Sequence, residues 1–349
     1  MILEQLSNAV GLSGKEDAVR KIILDEVKGT LRDIRIDALG SVTGLLPAAG
    51  RGKKSLRVLV AAHMDEVGLM VTGFEGDGLI RFTNVGGIDE RILPGKRVKI
   101  GEVQGVIIWT PIHKNIDQNV VKMSSLRIDI GAASKDEAAG KVKRGDRVNF
   151  DTQFRELDGG RMLRGKAFDD RAGCSLLVDV IRGGPYPVDV LAAFTVQEEI
   201  GLRGGQVVGQ TLQPDVAFIL EGTTANDVPN PTQLADDESE VNPTCSVGKG
   251  PALTIIDASM IVNPKLLAFL RKTADAQKIP YQLKSTPGGG TDGGSIHISG
   301  RGVPSAVISL PCRYIHSPAA LLLREDYDRA LRLIQAALHS ITPSDYQQV

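Results

Sequence analysis

Val190-Leu191-Ala192-Ala193-Phe194-Thr195-Val196 is an apolar run that breaks off into Gln197-Glu198-Glu199-Ile200-Gly201. The run is short, uncharged and partly β-branched, which suits one buried strand better than a helix. Two glutamates where such a strand ends, ahead of a glycine turn, are costly to take out of water unless a cation meets them. The same pattern recurs in both directions. Leu56-Arg57-Val58-Leu59-Val60-Ala61-Ala62 delivers His63-Met64-Asp65, and Ala217-Phe218-Ile219-Leu220 delivers Glu221-Gly222. Ala306-Val307-Ile308-Ser309-Leu310 leads through Pro311 to His316-Ser317. Helical spacing separates these strands at Leu176, Leu177, Val180 and Ile181, and at Leu266, Leu267 and Leu270 after Asn263-Pro264. A last helix carries Leu331, Ile334, Ala337, Leu338 and Ile341. Strands alternating with helices predict an α/β domain.

Near the start, Ser13-Gly14-Lys15-Glu16 reads as a capping box ahead of Val19, Ile22, Ile23 and Val27, with Gly29 as the stop. The character changes between residues 67 and 162. Segments there are short and rich in Val, Ile and Gly, with turns at Gly76-Asp77-Gly78, Gly86-Gly87 and Pro94-Gly95. Val98 to Ile100, Val103 to Ile108 and Val148 to Phe150 predict strands of a small β-barrel, interrupted by a helix near Ser134 to Ala139. The expected organisation is a discontinuous domain, 1–66 with 163–349, and a β-rich insertion at 67–162. Residues 222–250, rich in Asn, Asp, Pro and Thr, read as a long surface loop.

Composition limits the choices. With 41 Lys+Arg against 42 Asp+Glu the net charge is −1, so no nucleic-acid partner is expected, because duplex affinity comes mostly from cations on phosphates. Hydrophobic residues at 42% and charged residues at 24% are globular values. No run reaches the roughly 18–20 apolar residues that span a bilayer, so no membrane partner is expected either. Met1-Ile2-Leu3-Glu4-Gln5 shows no secretory signal. Cys174, Cys245 and Cys312 are scattered and form no CxxC pair, which points to a reducing, cytoplasmic setting.

In open α/β sheets, ligands bind outside the carboxyl ends of the strands. His63 and Asp65, two apart on a strand, share a face, and an Asp beside a His commonly orients a metal ligand. A hydrogen-bonded core histidine would explain that pair equally well. Asp169 and Asp170, in Gly165-Lys166-Ala167-Phe168-Asp169-Asp170-Arg171, precede a helix, where acids also serve as caps. Taken together, His63, Asp169, Glu199, Glu221 and His316 fall towards one rim. Two imidazoles and three carboxylates suit two Zn2+-like ions with one bridging carboxylate, and Glu198 is left free to handle protons. Among the remaining candidates, His113 and His339 read as surface or structural, while His297 lies near the Gly288 to Gly294 turn and a substrate pocket. Cys312 reads as a buried small hydrophobe. Lys249 and Arg313 are candidates for a pocket selecting acidic side chains, with exposure and ion pairing as the plainer explanation.

Several motifs in order carry a family resemblance: His63-Met64-Asp65, Gly165 to Arg171, Glu198-Glu199 and Arg313-Tyr314-Ile315-His316-Ser317-Pro318. Leu93-Pro94-Gly95-Lys96-Arg97-Val98, Ile128-Asp129-Ile130-Gly131-Ala132 and Gly289-Gly290-Thr291-Asp292 add to it. The chain resembles the tetrahedral (TET) aminopeptidases, also called deblocking or glutamyl aminopeptidases, metallopeptidase family forty-two, with relatives labelled endoglucanases. The resemblance implies a zinc-peptidase-type catalytic domain with a mixed sheet and helices on both faces. It also implies a PDZ-like barrel insertion that serves oligomerisation. One divalent ion would be held by His63, Asp169 and Glu221, and the other by Asp169, Glu199 and His316, with Zn2+ or Co2+ favoured and Mn2+ accepted. Asp65 would orient His63, and Glu198 would be the general base for a water between the ions. Substrates would be peptides trimmed from the amino terminus. Dimers would assemble into a dodecamer with its sites facing an inner chamber.

One position departs from the pattern, since family aminopeptidases often carry Asp where this chain has Glu221. In related co-catalytic zinc hydrolases a Glu here goes with carboxypeptidase or N-acyl amino-acid deacylase activity, which stays open as the alternative. A glycosidase with Glu198 and Glu199 flanking a sugar bond is disfavoured by an aromatic content of 4% and a single Trp, Trp109.

Overall fold

The apolar runs become four parallel neighbours at the heart of one sheet, in the spatial order Asp189–Thr195, Arg57–His63, Val216–Thr224 and Ser305–Arg313. The structure is a computed structural model that describes residues 1–50, 55–109, 121–228, 244–285 and 288–347. The sheet continues antiparallel at both sides. One side runs through Val42–Leu46 to Arg32–Ile36, the other through Ala320–Leu323 and Met162–Gly165 to Arg155–Leu157. Ala252–Thr254 and Gln282–Lys284 branch from Ser305–Arg313 and bring the sheet to 11 strands. The mixed sheet of an α/β fold is therefore observed.

The central strands are apolar nearly throughout because both of their faces are covered. Ile219 packs against Gly293 of the helix Asp292–Ile296, whereas Gly222 lies against Asp169 at the start of the helix Phe168–Arg182. Residues three apart on a strand point to opposite faces, so helices flank the sheet on both sides. Register sets where the strands end. His63 pairs with Thr195, and Ala61 pairs with Ile219, which brings His63 level with Glu221.

A closed six-stranded barrel interrupts the domain, with the circuit Gly68–Phe74, Ile80–Val85, Arg127–Asp129, Val103–Ile108, Arg97–Ile100 and Arg147–Phe150. Closure removes the exposed edges that a small open sheet would present. Leu69, Val71, Ile80, Val98, Ile107, Ile128 and Val148 form its own core, separate from the main one. The chain rejoins the large sheet at Arg155, ahead of residue 162, because Arg155–Leu157 forms a hairpin with Met162–Gly165 and that strand pairs with Ala320–Leu323.

The capping box at Ser13 does not form. The helix Asp17–Val27 starts without a side-chain cap, and Ser13 Oγ donates instead to Asp65 Oδ2 at 2.6 Å. A hydroxyl gains more from a buried carboxylate than from an exposed helix end. His339 packs against Tyr186 with ring centroids 4.9 Å apart and ring planes tilted by 58°. Among the described residues no helix is long and apolar enough to cross a membrane.

Separate cores predict separate responses to damage. Ile107→Ala should cost about 2–5 kcal/mol in the barrel. Hydrogen-exchange mass spectrometry should then show faster exchange in residues 68–109 and 121–150, with Arg57–His63 and Val216–Thr224 protected as in the parent.

Candidate functional site

The carboxyl ends of the four parallel strands meet at a cavity of about 730 Å³ whose wall includes Asp169, Glu198, Glu199, Glu221 and His316. His63 lies just beneath, 2% exposed. Its Nε2 is 3.1 Å from Asp169 Oδ1 and 3.4 Å from Glu221 Oε1. His316 Nε2 is 3.2 Å from Asp169 Oδ2 and 3.4 Å from Glu199 Oε1. Asp169 thus stands between the two imidazoles and offers one oxygen to each. The extra methylene of Glu221 does not carry its carboxylate past His63. Glu221 Oε1 also accepts from the Gly222 N–H at 3.0 Å.

Tight turns place these side chains. Ala167, Gln197, Leu202, Tyr314 and His316 all have positive φ, between 55° and 60°. Non-glycine residues held in such sparse regions cost about 1–3 kcal/mol each, and surrounding contacts must over-determine them. Asp169 and Asp170 lie outside helical geometry at the mouth of their helix, so neither is a simple cap. Asp170 does not line the cavity and accepts from the His63 N–H at 3.1 Å and the Gly173 N–H at 2.9 Å, although its carboxylate lies within 4.8 Å of ligand atoms on His63 and Glu221. At Gly222 a Cβ would sit 3.0 Å from Asp169 Cα, so any side chain there would press on the segment carrying Asp169.

Asp65 does more than the expected orienting of His63. His63 Nδ1 is 3.1 Å from the Asp65 carbonyl oxygen and 3.4 Å from Oδ1. The same carboxylate accepts from the Glu198 N–H at 3.0 Å, the Glu199 N–H at 3.2 Å and Ser13. It therefore fixes the main chain that presents both glutamates, a role that neighbouring residues in sequence do not signal. Two barrel-side residues also reach the site. A Cβ on Gly87 would sit 3.4 Å from His316 Nδ1, and one on Gly86 would sit 3.3 Å from Glu199 Cβ. Their pairing was visible in the sequence as a turn and nothing more.

Burial pushes the Glu199 and Glu221 carboxyls up to about 8, with nearby Asp169 adding to the effect in both. Burial likewise drives Glu198 well above the carboxylate range. Burial opposes charge on His316, yet Asp169 and Glu199 hold its pKa up to about 9. At His63 burial is outweighed by Glu221 and Glu198, and its pKa is raised well above the usual imidazole value. Asp169 resists burial and falls well below the carboxylate range because His316 and His63 flank it. Glu199 Oε1 and Glu221 Oε2 are buried with no hydrogen-bond partner. Acids in want of positive charge, imidazole nitrogens turned towards them and orphaned oxygens together make a donor set that fits divalent cations.

Other expectations fall differently. Arg313 is paired with Asp227 through bonds of 2.7 and 2.8 Å, and the lysine in the cavity wall is Lys284 rather than Lys249. Gly288, Gly289, Gly290 and Thr291 line the cavity, while Asp292 lies beneath it and accepts from Thr195 Oγ1. His297 lines a different hollow, with Asp215, Asn263 and Arg301. Cys312 is buried, as are Cys174 and Cys245, and all three are free thiols. His113 and residues 229–243 of the expected surface loop lie outside the described residues.

Imidazoles and acids crowded at the carboxyl edge of a mixed α/β sheet mark the chain as an enzyme of the hydrolase class. It belongs to the M42 glutamyl aminopeptidase family, whose profile matches residues 44–333. It is accordingly a peptide-cleaving hydrolase, from a family that implies divalent metal ions. The chain is 31% identical over 357 residues to the lysyl aminopeptidase of Pyrococcus furiosus, an alignment spanning 99% of this chain and 98% of that one. Its structure is similar to the TET aminopeptidase of a marine sediment archaeon of the Thaumarchaeota, with a TM-score of 0.90, 36% identity and coverage of 99% and 97%. It is also similar to the TET1 peptidase of Pyrococcus horikoshii, which can assemble into a tetrahedron or a large octahedral shell, with a TM-score of 0.83, 32% identity and coverage of 97% and 98%.

The close approach at Gly222 supplies a test. Gly222→Ala should push Asp169 aside by a few tenths of an ångström, and since a misplacement of about 1 Å costs on the order of 10²-fold in rate, a loss of up to that order is expected. Peptidase activity should fall to that extent while circular dichroism and thermal unfolding stay near the parent.

Proposed function

We propose that the chain is a dinuclear-metal aminopeptidase with Asp169 as the shared ligand and Glu198 as the general base. The observation that carries this reading is the position of Asp169, with Oδ1 3.1 Å from His63 and Oδ2 3.2 Å from His316. His63, Asp169 and Glu221 would hold one ion, and Asp169, Glu199 and His316 the other. Zn2+ or Co2+ suits this nitrogen and oxygen set best, and Mn2+ is accepted. When bound, the ions supply Lewis acidity, making water easier to deprotonate and a peptide carbonyl easier to attack.

The remaining work belongs to the protein. Glu198 lines the cavity at 8% exposure, and its main chain is fixed by Asp65. Its carboxylate takes the proton of the attacking water and returns it to the departing amine. A base that must both accept and release a proton works best with a raised pKa, the direction in which burial moves Glu198. Asp65 holds the His63 ring and the Glu198–Glu199 main chain in a fixed relation. The free α-amino group of the substrate is read by an acid or ion at the rim, which limits cleavage to the first residue.

The inserted barrel is assigned to subunit assembly, with dimers building a dodecamer. This assignment rests on the likeness to assembling TET peptidases and on the barrel's separate core. Free buried thiols suit a reducing cytoplasm.

Chelation followed by dialysis should abolish cleavage of aminoacyl p-nitroanilides, and adding back Zn2+ or Co2+ should restore it. N-acylated amino acids should remain uncut; their cleavage would move the assignment to the deacylase alternative. Glu198→Gln should keep both ions by elemental analysis and lower kcat by about 10²–10⁴-fold. A metal-replete variant with parental turnover would reject Glu198 as the base.

A further inference from the structure

We infer that Lys166 and Arg171, gathered on Glu66, form a buried positioning lock beneath the metal centre that sets the spacing between the turn carrying His63 and the turn carrying Asp169. The inference rests on the dinuclear reading above. Lys166 and Arg171 flank Asp169 within the Gly165 to Arg171 motif, Glu66 follows Asp65, and none of the three is among the ligands or the base. All are nearly inaccessible, with Arg171 at 0% and Lys166 and Glu66 at 3% exposure.

The contacts run between the two turns. Lys166, three residues before Asp169, donates to Glu66 Oε1 at 2.7 Å and Oε2 at 2.8 Å. Arg171, two residues after Asp169, donates through Nε to the Met64 carbonyl at 2.6 Å and through Nη2 to Glu66 Oε1 at 3.2 Å. Met64 and Glu66 lie one and three residues after His63. The chain on each side of Asp169 is therefore fastened to the segment that leaves His63. The remaining guanidinium donors take the carbonyls of Leu6 at 2.6 Å, Ala9 at 3.2 Å and Gly11 at 3.0 Å. Lys166 adds a bond to the Ala9 carbonyl at 2.8 Å. Glu66 also accepts from the Gly11 N–H at 3.2 Å and from Asn149 of the barrel at 3.3 Å. The planar fork of arginine fixes directions as well as distances, so Arg171 holds several segments in one arrangement.

Stability alone does not account for such a cluster. Taking charges out of water costs several kcal/mol per ion, and apolar residues of similar volume often serve as well or better. What the charges provide is geometry. Ligand atoms must close to about 2.0–2.2 Å from an ion, and small errors in the turns that carry them are felt at once. Changing the outer partners of metal ligands typically costs about 10–100-fold in metal affinity. Lys166 and Arg171 are positioning residues, acting through the His63 and Asp169 turns.

Lys166→Met leaves the Glu66–Arg171 pair charge-balanced, and Arg171→Lys keeps the charge while losing the fork. Zn2+ affinity of each metal-stripped, full-length variant is measured by competition with a chromophoric chelator at fixed pH, alongside circular dichroism. Folded Lys166→Met should bind Zn2+ about 10–100-fold more weakly than the parent. Its kcat should drop at limiting Zn2+ and recover with excess Zn2+, while KM for an aminoacyl p-nitroanilide stays unchanged. A folded Lys166→Met or Arg171→Lys with parental Zn2+ affinity overturns the lock. A parent protein that binds no Zn2+, Co2+ or Mn2+ overturns the dinuclear reading and the lock with it.

Discussion

Carboxylates cannot share a buried space without positive charge, and this constraint governs the cavity at the carboxyl edge of the sheet. Glu198, Glu199, Glu221 and Asp169 sit within reach of one another, largely shielded from water. Left to themselves, the glutamates hold protons far above their usual pKa, and the imidazoles of His63 and His316 take up charge in compensation. Such an arrangement is poor for stability and useful for chemistry, because groups with displaced pKa values are those that bind cations or move protons. The fold tolerates the crowding because the acids enter from three separate segments, one carrying Asp169, one carrying Glu198 and Glu199, and one carrying Glu221.

Those segments are placed chiefly by register and turn geometry. Parallel pairing brings His63, Thr195 and Glu221 to one level, so the loops that follow start from a common edge. Positive-φ turns at Ala167, Gln197, Tyr314 and His316 then set the course of the chain beside Asp169, Glu198, Glu199 and His316. Asp65 links two of the loops by accepting from both glutamate amides while facing the His63 ring. Beside Gln197, the turn is thus held by hydrogen bonds to a buried carboxylate, the strongest kind available to uncharged donors.

Much of this was legible in the amino-acid sequence, for a definite reason. A buried parallel strand is a continuous apolar run, and a His or Glu at its end stands out against that background. The same logic located His63, the two glutamates, Glu221 and His316, while the change to short Val- and Gly-rich segments announced the barrel. Asp169 was harder to place, since acids before a helix have an ordinary use as caps. What could not be read were relations between distant residues. Ser13 looked like a cap because Glu16 follows it, yet its partner is Asp65, 52 positions away. Arg171 and Glu66 are separated by 105 positions, and nothing local marks their pairing. Arg155–Leu157 looked like insertion because it is short and follows barrel strands, and only its pairing with Met162–Gly165 assigns it to the large sheet.

The glycine pair at the foot of the barrel has an evolutionary consequence. Gly86 and Gly87 approach Glu199 and His316 as bare main chain, and Gly86, with φ 79° and room for a Cβ only 2.8 Å from Val67, is held to glycine, so it is the absence of a side chain that is constrained there. With its own interior packing and so plain a link to the chemistry, the barrel's outer surface is free to drift. Substitutions on that outer surface would leave the barrel's interior packing and its approach to Glu199 and His316 as they are.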